Sequence, residues 1–182
     1  RSLAIKPAKT RRTIGKATFW KPRMFPTRSC CISIGLWSGS DPILGVVYDF
    51  NRGEIFSGVA NSSASLDGKH IKVSDTSNIQ DAILCTGFPV NTDFSNRSLS
   101  DFVKHISDYK KIRLMGSAAL SLAYVACGRV DSYIEEDIML WDVAAGLALI
   151  LGAGGSIDLS PGRHKWSYKV YASNNNITKD DD

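Results

Sequence analysis

The chain has 182 residues, 43% of them hydrophobic and 22% charged. That is the make-up of one ordinary globular domain, long enough to bury a core. The net charge of +4 hides an asymmetry. Residues 1–28 carry nine basic side chains and no acidic one, leaving 13 basic against 18 acidic residues in a mildly acidic body. Four cysteines show neither disulfide nor metal-ligand spacing, which suits a reducing, cytoplasmic compartment. The longest apolar run, near residues 143–153, is too short to span a bilayer.

The basic head, rich in Thr and Pro, shows no clear periodicity. From its residues alone it reads as a flexible anion-touching tail or as a transit-type presequence. From Cys30 the pattern sharpens. Residues 30–37 (CCISIGLW) predict a strand, ended by the turn cluster SGSDP. Residues 43–50 (ILGVVYDF) and 54–60 (EIFSGVA) predict two more, joined by Asn51-Arg52-Gly53. Asp67-Gly68 signals a hairpin leading into residues 70–73. Short strands with short turns make an antiparallel meander.

After Ser74 the rhythm changes. Residues 82–86 (AILCT) predict a strand, 98–106 a helix and 112–115 a strand. Ser117 is placed to cap a helix reaching about Cys127. Residues 130–134 predict a strand, and 156–159 and 169–172 the last two, before a polar tail expected to fray. Strands alternating with helices imply a second, more parallel layer.

Residues 135–155 (EEDIMLWDVAAGLALILGAGG) organise the rest. The segment from Trp141 to Ala153 is apolar on every side, so it predicts a buried helix between layers. Asp137 is placed to cap its start and Gly152, Gly154 and Gly155 to end it. Asp142 then lies in or near the first turn of a core helix. A carboxylate there needs a partner or a metal, and composition alone favours bonding to nearby backbone amides.

The string Trp141-Asp142-Val143-Ala144-Ala145-Gly146, with Gly154-Gly155 beyond it, resembles the C-terminal signature of the inositol monophosphatase family. The resemblance covers about residues 25–174. It implies an α/β (α+β) layered sandwich, N-terminally truncated, with the antiparallel meander followed by a β-α-β-α-β half. It also implies a phosphomonoesterase that uses magnesium, Mg2+, to hydrolyse inositol monophosphate or a similar small polyol or nucleotide phosphate. Asp142 matches a metal ligand. Gly116, Ser117 and Ala118 match an element whose backbone contacts the alcohol portion of the substrate, and Ser117 serves equally as a helix cap. Glu135, seven residues before Asp142, matches an acid that hydrogen-bonds substrate hydroxyls. Glu136 and Asp137 read as solvated or capping, and His70, His105 and His164 as surface residues. Asn176-Ile177-Thr178 fits a glycosylation sequon without other support.

The family's remaining acids, a Glu-Glu pair and an Asp-Pro-x-Asp-Gly-Thr loop, have no match. Asp41-Pro42-Ile43-Leu44-Gly45-Val46 imitates that loop, but Leu44 and Val46 replace its second Asp and Thr, and it falls at a strand. Counting back from Phe25-Pro26 places the loop near residues 13–18 (TIGKAT), where Lys16 would repel magnesium. No catalytic residue is therefore assigned. The head, residues 1–24, is read as a divergent or mistranslated replacement, ahead of a domain at 25–174 and a polar tail at 175–182. The alternative function is a non-catalytic remnant, a binding or oligomerisation module of the same fold. Expected partners are a small phosphorylated polyol or nucleotide, with a homodimer as an option. No membrane is expected, and nucleic acid is disfavoured because no interleaved aromatic platform accompanies the basic head.

Overall fold

The computed structural model describes residues 13–14, 30–88 and 95–177. Six strands form one antiparallel sheet in sequence order. They are β1 (Thr13–Ile14), β2 (Cys31–Ser38), β3 (Asp41–Asp49), β4 (Glu54–Val59), β5 (Ser63–Leu66) and β6 (Lys69–Ile71). β1 pairs with β2 through Thr13 opposite Trp37 and Ile14 opposite Leu36. The rest of the basic head, with Lys16 and Phe25-Pro26, lies outside the described residues, as do Pro89, Thr178 and the side chain of His105.

The meander follows from local chemistry. Gly39, Gly53 and Gly68 take positive φ at its turns, a conformation that glycine adopts without steric cost. Asp67 caps the opposing strand by accepting from the Ile55 amide at 2.8 Å. Asp41-Pro42, the imitation of the family loop, opens strand β3 and pairs with Ser38 and Trp37, so it is an ordinary strand start.

A 3-10 turn (Ile79–Asp81) leads into the second sheet, which contains β7 (Ile83–Thr86), β8 (Lys111–Leu114), β9 (Ser132–Met139), β10 (Ser156–Pro161) and β11 (Ser167–Ser173), in the order β10-β11-β9-β7-β8. β7 runs parallel to β8 and β9, whereas β9–β11 and β11–β10 are antiparallel. The expected parallel layer is thus mixed. Its parallel part is the predicted β-α-β-α-β run, carried by helices α1 (Asn96–Ile106) and α2 (Ala118–Ala126). Its antiparallel part is the hairpin after helix α3 (Leu140–Gly152).

α2 and α3 pack on each other between the two sheets. From Val143 to Ile150, α3 is buried without interruption, which explains its apolar character on all sides. Glycines let the layers approach. A Cβ at Gly45 of β3 would collide with the backbone of Ala145, and one at Gly146 with Leu122 of α2. Trp37 closes the contact by donating its indole N–H to the Ala144 carbonyl at 3.1 Å. On the opposite side of the meander Ile34, Ile55 and Val59 are exposed.

Two expectations about the ends of this core are corrected. Asp137 does not cap α3. β9 runs on to Met139, which occupies the cap position without a side-chain bond. Asp137 is instead buried in the strand at φ +55°, where its carboxylate accepts from Ser167 Oγ at 3.0 Å and pairs with the Arg163 guanidinium. Glu136 is solvated, as expected, and reaches Lys169 at 3.0 Å. The start of the tail is not frayed: Asn174 Nδ2 donates to Ser74 Oγ and to the Thr76 carbonyl, while its side-chain Oδ1 accepts from the backbone amides of Asn176 and Ile177. His70 and His164 are exposed.

Candidate active site

Four separate stretches of sequence, from β2, the end of β7, the turn from β8 into α2, and β9 running on into α3, meet at one cleft of about 380 Å³. α3 contributes Trp141 and Asp142 from its first turn, β9 contributes Glu135 and Ile138, and the turn from β8 into α2 contributes Gly116, Ser117 and Ala118. The sequence-predicted site residues Asp142, Glu135, Gly116, Ser117 and Ala118 therefore all line the same cavity, although up to 26 positions separate them.

The local reasons are legible. Gly116 sits at φ +73°, which turns the chain sharply between β8 and α2. Ser117, extended, then caps α2 by accepting from the Leu120 amide at 3.4 Å. Its hydroxyl also lies 3.6 Å from the Cys31 sulfur on β2, tying the first sheet to the cleft. The Cys31 thiol is pushed up by burial, against the pull of that Ser117 contact. Burial thus disfavours its thiolate form.

Glu135 is almost fully buried. Burial pushes its carboxyl above the ordinary range, the Tyr133 hydroxyl donating at 2.6 Å pulls it back, and the charge of Asp142 pushes it up again. Tyr133 is 1% exposed, and burial followed by the Glu135 charge drives its own ionisation well above the ordinary value, so it remains a donor. Two carboxyl groups in different environments thus face one cavity. Glu135 is held by a phenol in a dry wall, and Asp142 is placed at a helix start, where the helix dipole favours negative charge. Gly87 makes room for this arrangement, since a Cβ there would strike the Glu135 carboxylate.

Sequence reasoning missed Tyr133, Gly87, Thr86, Cys31 and Ser33, all of which line the cleft. The Tyr133-x-Glu135 spacing places both side chains on one strand face, but that signal is readable only once β9 is known to extend past Ile134.

The described residues do not themselves complete a metal centre. No group of three or more His, Cys, Asp or Glu side chains among them is arranged to hold an ion. Asp142 is the acidic residue in the first turn of α3, and one oxygen of Glu135, Oε2, accepts from Tyr133.

Two sheets enclosing a helical pair, with an acid-bearing cleft at the helix starts, define an α+β layered sandwich. The sequence profile described as "Inositol monophosphatase family" matches residues 23–179, and this chain belongs to the inositol monophosphatase family. It is 38% identical to an inositol-1-monophosphatase of Synechocystis over 144 residues, covering 73% of this chain and 50% of that protein. It is also 38% identical to a Nus factor SuhB of Xylella fastidiosa over 128 residues, covering 70% of this chain and 46% of that protein. The solved inositol monophosphatase of Anabaena (Nostoc) sp. superposes with a TM-score of 0.71 at 39% identity, covering 80% of this chain and 59% of the other. The chain therefore spans about half the length of the curated relatives it matches. Among the described residues no helix is long and apolar enough to cross a membrane.

Proposed function

We propose that this chain supplies one wall of the active site of a magnesium-dependent phosphomonoesterase acting on inositol monophosphate or a similar small polyol or nucleotide phosphate in the cytoplasm. The observation that carries the reading is the convergence of Asp142, Glu135 and the Gly116–Ser117 turn on one cleft. In this reading Asp142 is a metal ligand, Glu135 accepts a hydrogen bond from a substrate hydroxyl, and the turn into α2 holds the alcohol portion of the substrate. Magnesium in such an enzyme activates water and neutralises the leaving oxygen. Because the described residues do not form a complete ion site, no step of the reaction is assigned to this chain alone. Its own contribution is to bind and orient: Tyr133 fixes the Glu135 carboxyl, Ser117 fixes the start of α2, and Trp141 and Ile138 supply apolar walls.

The incomplete donor set also favours a second reading, a non-catalytic binding module of the same fold. Phosphate release from inositol 1-phosphate with millimolar magnesium separates the two. The 182-residue chain alone is expected at background, and the same chain joined after the N-terminal half of its Synechocystis relative is expected to turn over. A joined protein that folds cooperatively but stays at background would favour the binding module.

A further inference from the structure

Phe88 is 40% exposed, and it lines the cleft that carries Asp142 and Glu135. Large apolar side chains exposed singly are ordinary, so the place of this one is what counts. Gly87 sets that place. Its backbone lies so close to the Glu135 carboxylate that a Cβ would collide with it, and the next residue therefore leaves the chain beside that carboxylate. Phe102 of α1 backs the Phe88 ring, with centroids 4.9 Å apart and planes tilted by 47°. Phe102 itself stands outside the cleft lining. The contact holds the Phe88 ring in orientation at the cleft without burying it.

Ile138 and Trp141 line the same cavity, so the wall combines three large apolar side chains with two carboxyl groups. A phosphate group, held at Asp142 through magnesium in the reading above, has no apolar face to set against the three. A ring in the alcohol portion has one. Such a ring carries C–H bonds on its faces and hydroxyls around its rim. The face of an aromatic ring is its negative part, and C–H bonds on hydroxyl-bearing carbons are polarised positive, so the two faces attract as well as bury apolar surface. With a face on Phe88, a rim hydroxyl donates to the neighbouring Glu135 carboxylate. A short acyclic alcohol such as glycerol has no continuous C–H face and gains little from this wall.

We infer that Phe88 is a substrate-binding residue that selects the phosphate of a ring-bearing alcohol over that of a short acyclic one, by taking a C–H face of the ring against its side chain. The inference rests on the phosphatase reading above. The test uses the 182-residue chain without metal, because uncharged probes need no cation beside Asp142. Myo-inositol and methyl riboside are the ring-bearing probes and glycerol the acyclic one; the tighter of the first two tells a polyol source from a nucleotide source. Saturation-transfer NMR titrations and ligand-free melting curves are recorded for the wild type, Phe88→Ala, Phe88→Leu and Phe88→Tyr. The wild type is expected to bind a ring-bearing probe more tightly than glycerol, with saturation strongest at the ring C–H protons. Phe88→Ala should weaken that probe about tenfold and leave glycerol within about twofold. Phe88→Leu keeps apolar volume against Phe102 but loses the flat face, so it should weaken the same probe while melting like the wild type. Phe88→Tyr keeps the face and should bind like the wild type. Equal affinity of the wild type, Phe88→Ala and Phe88→Leu for the ring-bearing probes overturns the inference. An equal loss for ring-bearing and acyclic probes also overturns it, because Phe88 would then only shape the cleft. Absence of binding of both ring-bearing probes by the wild type overturns it too, while the phosphatase reading is judged separately, by phosphate release from the joined protein.

Discussion

Replacing Leu149 probes the layer that holds the cleft together. Leu149 is fully buried in α3, and its side chain reaches the space beside Gly58 on β4. Leu149→Ala removes three carbons from a site closed by two sheets and by α2, so little collapse is available. The cost for such a site is about 3–5 kcal/mol, or a fall of roughly 6–20 °C in melting temperature for a domain of this size. Leu149→Asp adds an unpaired carboxylate with no donor nearby, and burying it costs several kcal/mol more. Since whole domains are stable by only about 5–15 kcal/mol, Leu149→Asp is expected to yield no soluble folded protein. Urea titration followed by tryptophan fluorescence measures the Ala variant, and soluble yield with circular dichroism measures the Asp variant. A soluble Leu149→Asp protein that melts cooperatively within a few degrees of wild type would refute the placement of α3 between the sheets.

Glu135 is held above its ordinary ionisation range in the fold, so the folded state binds its proton more tightly than the unfolded chain; wild-type stability should fall as pH rises from the ordinary carboxylate range toward the raised folded value, and Glu135→Gln should lose that fall, gaining stability relative to wild type at pH 7 but not at pH 4. A constant difference between the two proteins across that range would contradict the buried setting of Glu135. Gly87→Ala should destabilise the protein by about 1–3 kcal/mol, because its Cβ strikes the Glu135 carboxylate, and combining it with Glu135→Ala should recover much of the loss in a double-mutant cycle. Burial alone would raise Asp137, but the backbone and guanidinium of Arg163 together with Ser167 hold it below the ordinary range; its stabilisation is present above the unfolded carboxylate pKa and lost as pH falls through the folded one, so Arg163→Ala should cost the most stability near neutral pH and little at pH 2 in thermal melts.

Much of the fold was legible because its signals are local. SGSDP, NRG and DG mark the turns of the meander, and Ser117 after a glycine marks the start of α2. α3 declares itself by having no polar face. The start of α3 was legible to within a residue, but its cap was not: Asp137 looks like an N-cap, whereas β9 carries Glu135, Glu136 and Asp137 as a strand with Glu135 and Asp137 turned inward and Glu136 outward. A buried pair such as Tyr133 and Glu135 is invisible until the strand register is known. Asp142 was singled out by the resemblance of the string around it to a known family, whereas its residue type and place in a core helix pointed only to bonding with nearby backbone amides.

The most direct measurement is phosphate release from inositol 1-phosphate, with magnesium, by the joined protein described above, comparing native Asp142 with Asp142→Asn. A neutral isostere keeps the volume of the first turn of α3, so circular dichroism and melting behaviour should be unchanged. The rate should nevertheless fall by about a thousandfold or more, the loss of roughly 4 kcal/mol of transition-state stabilisation. Retention of magnesium-dependent turnover within threefold of the native protein would show that the cleft at Asp142 is not the catalytic site.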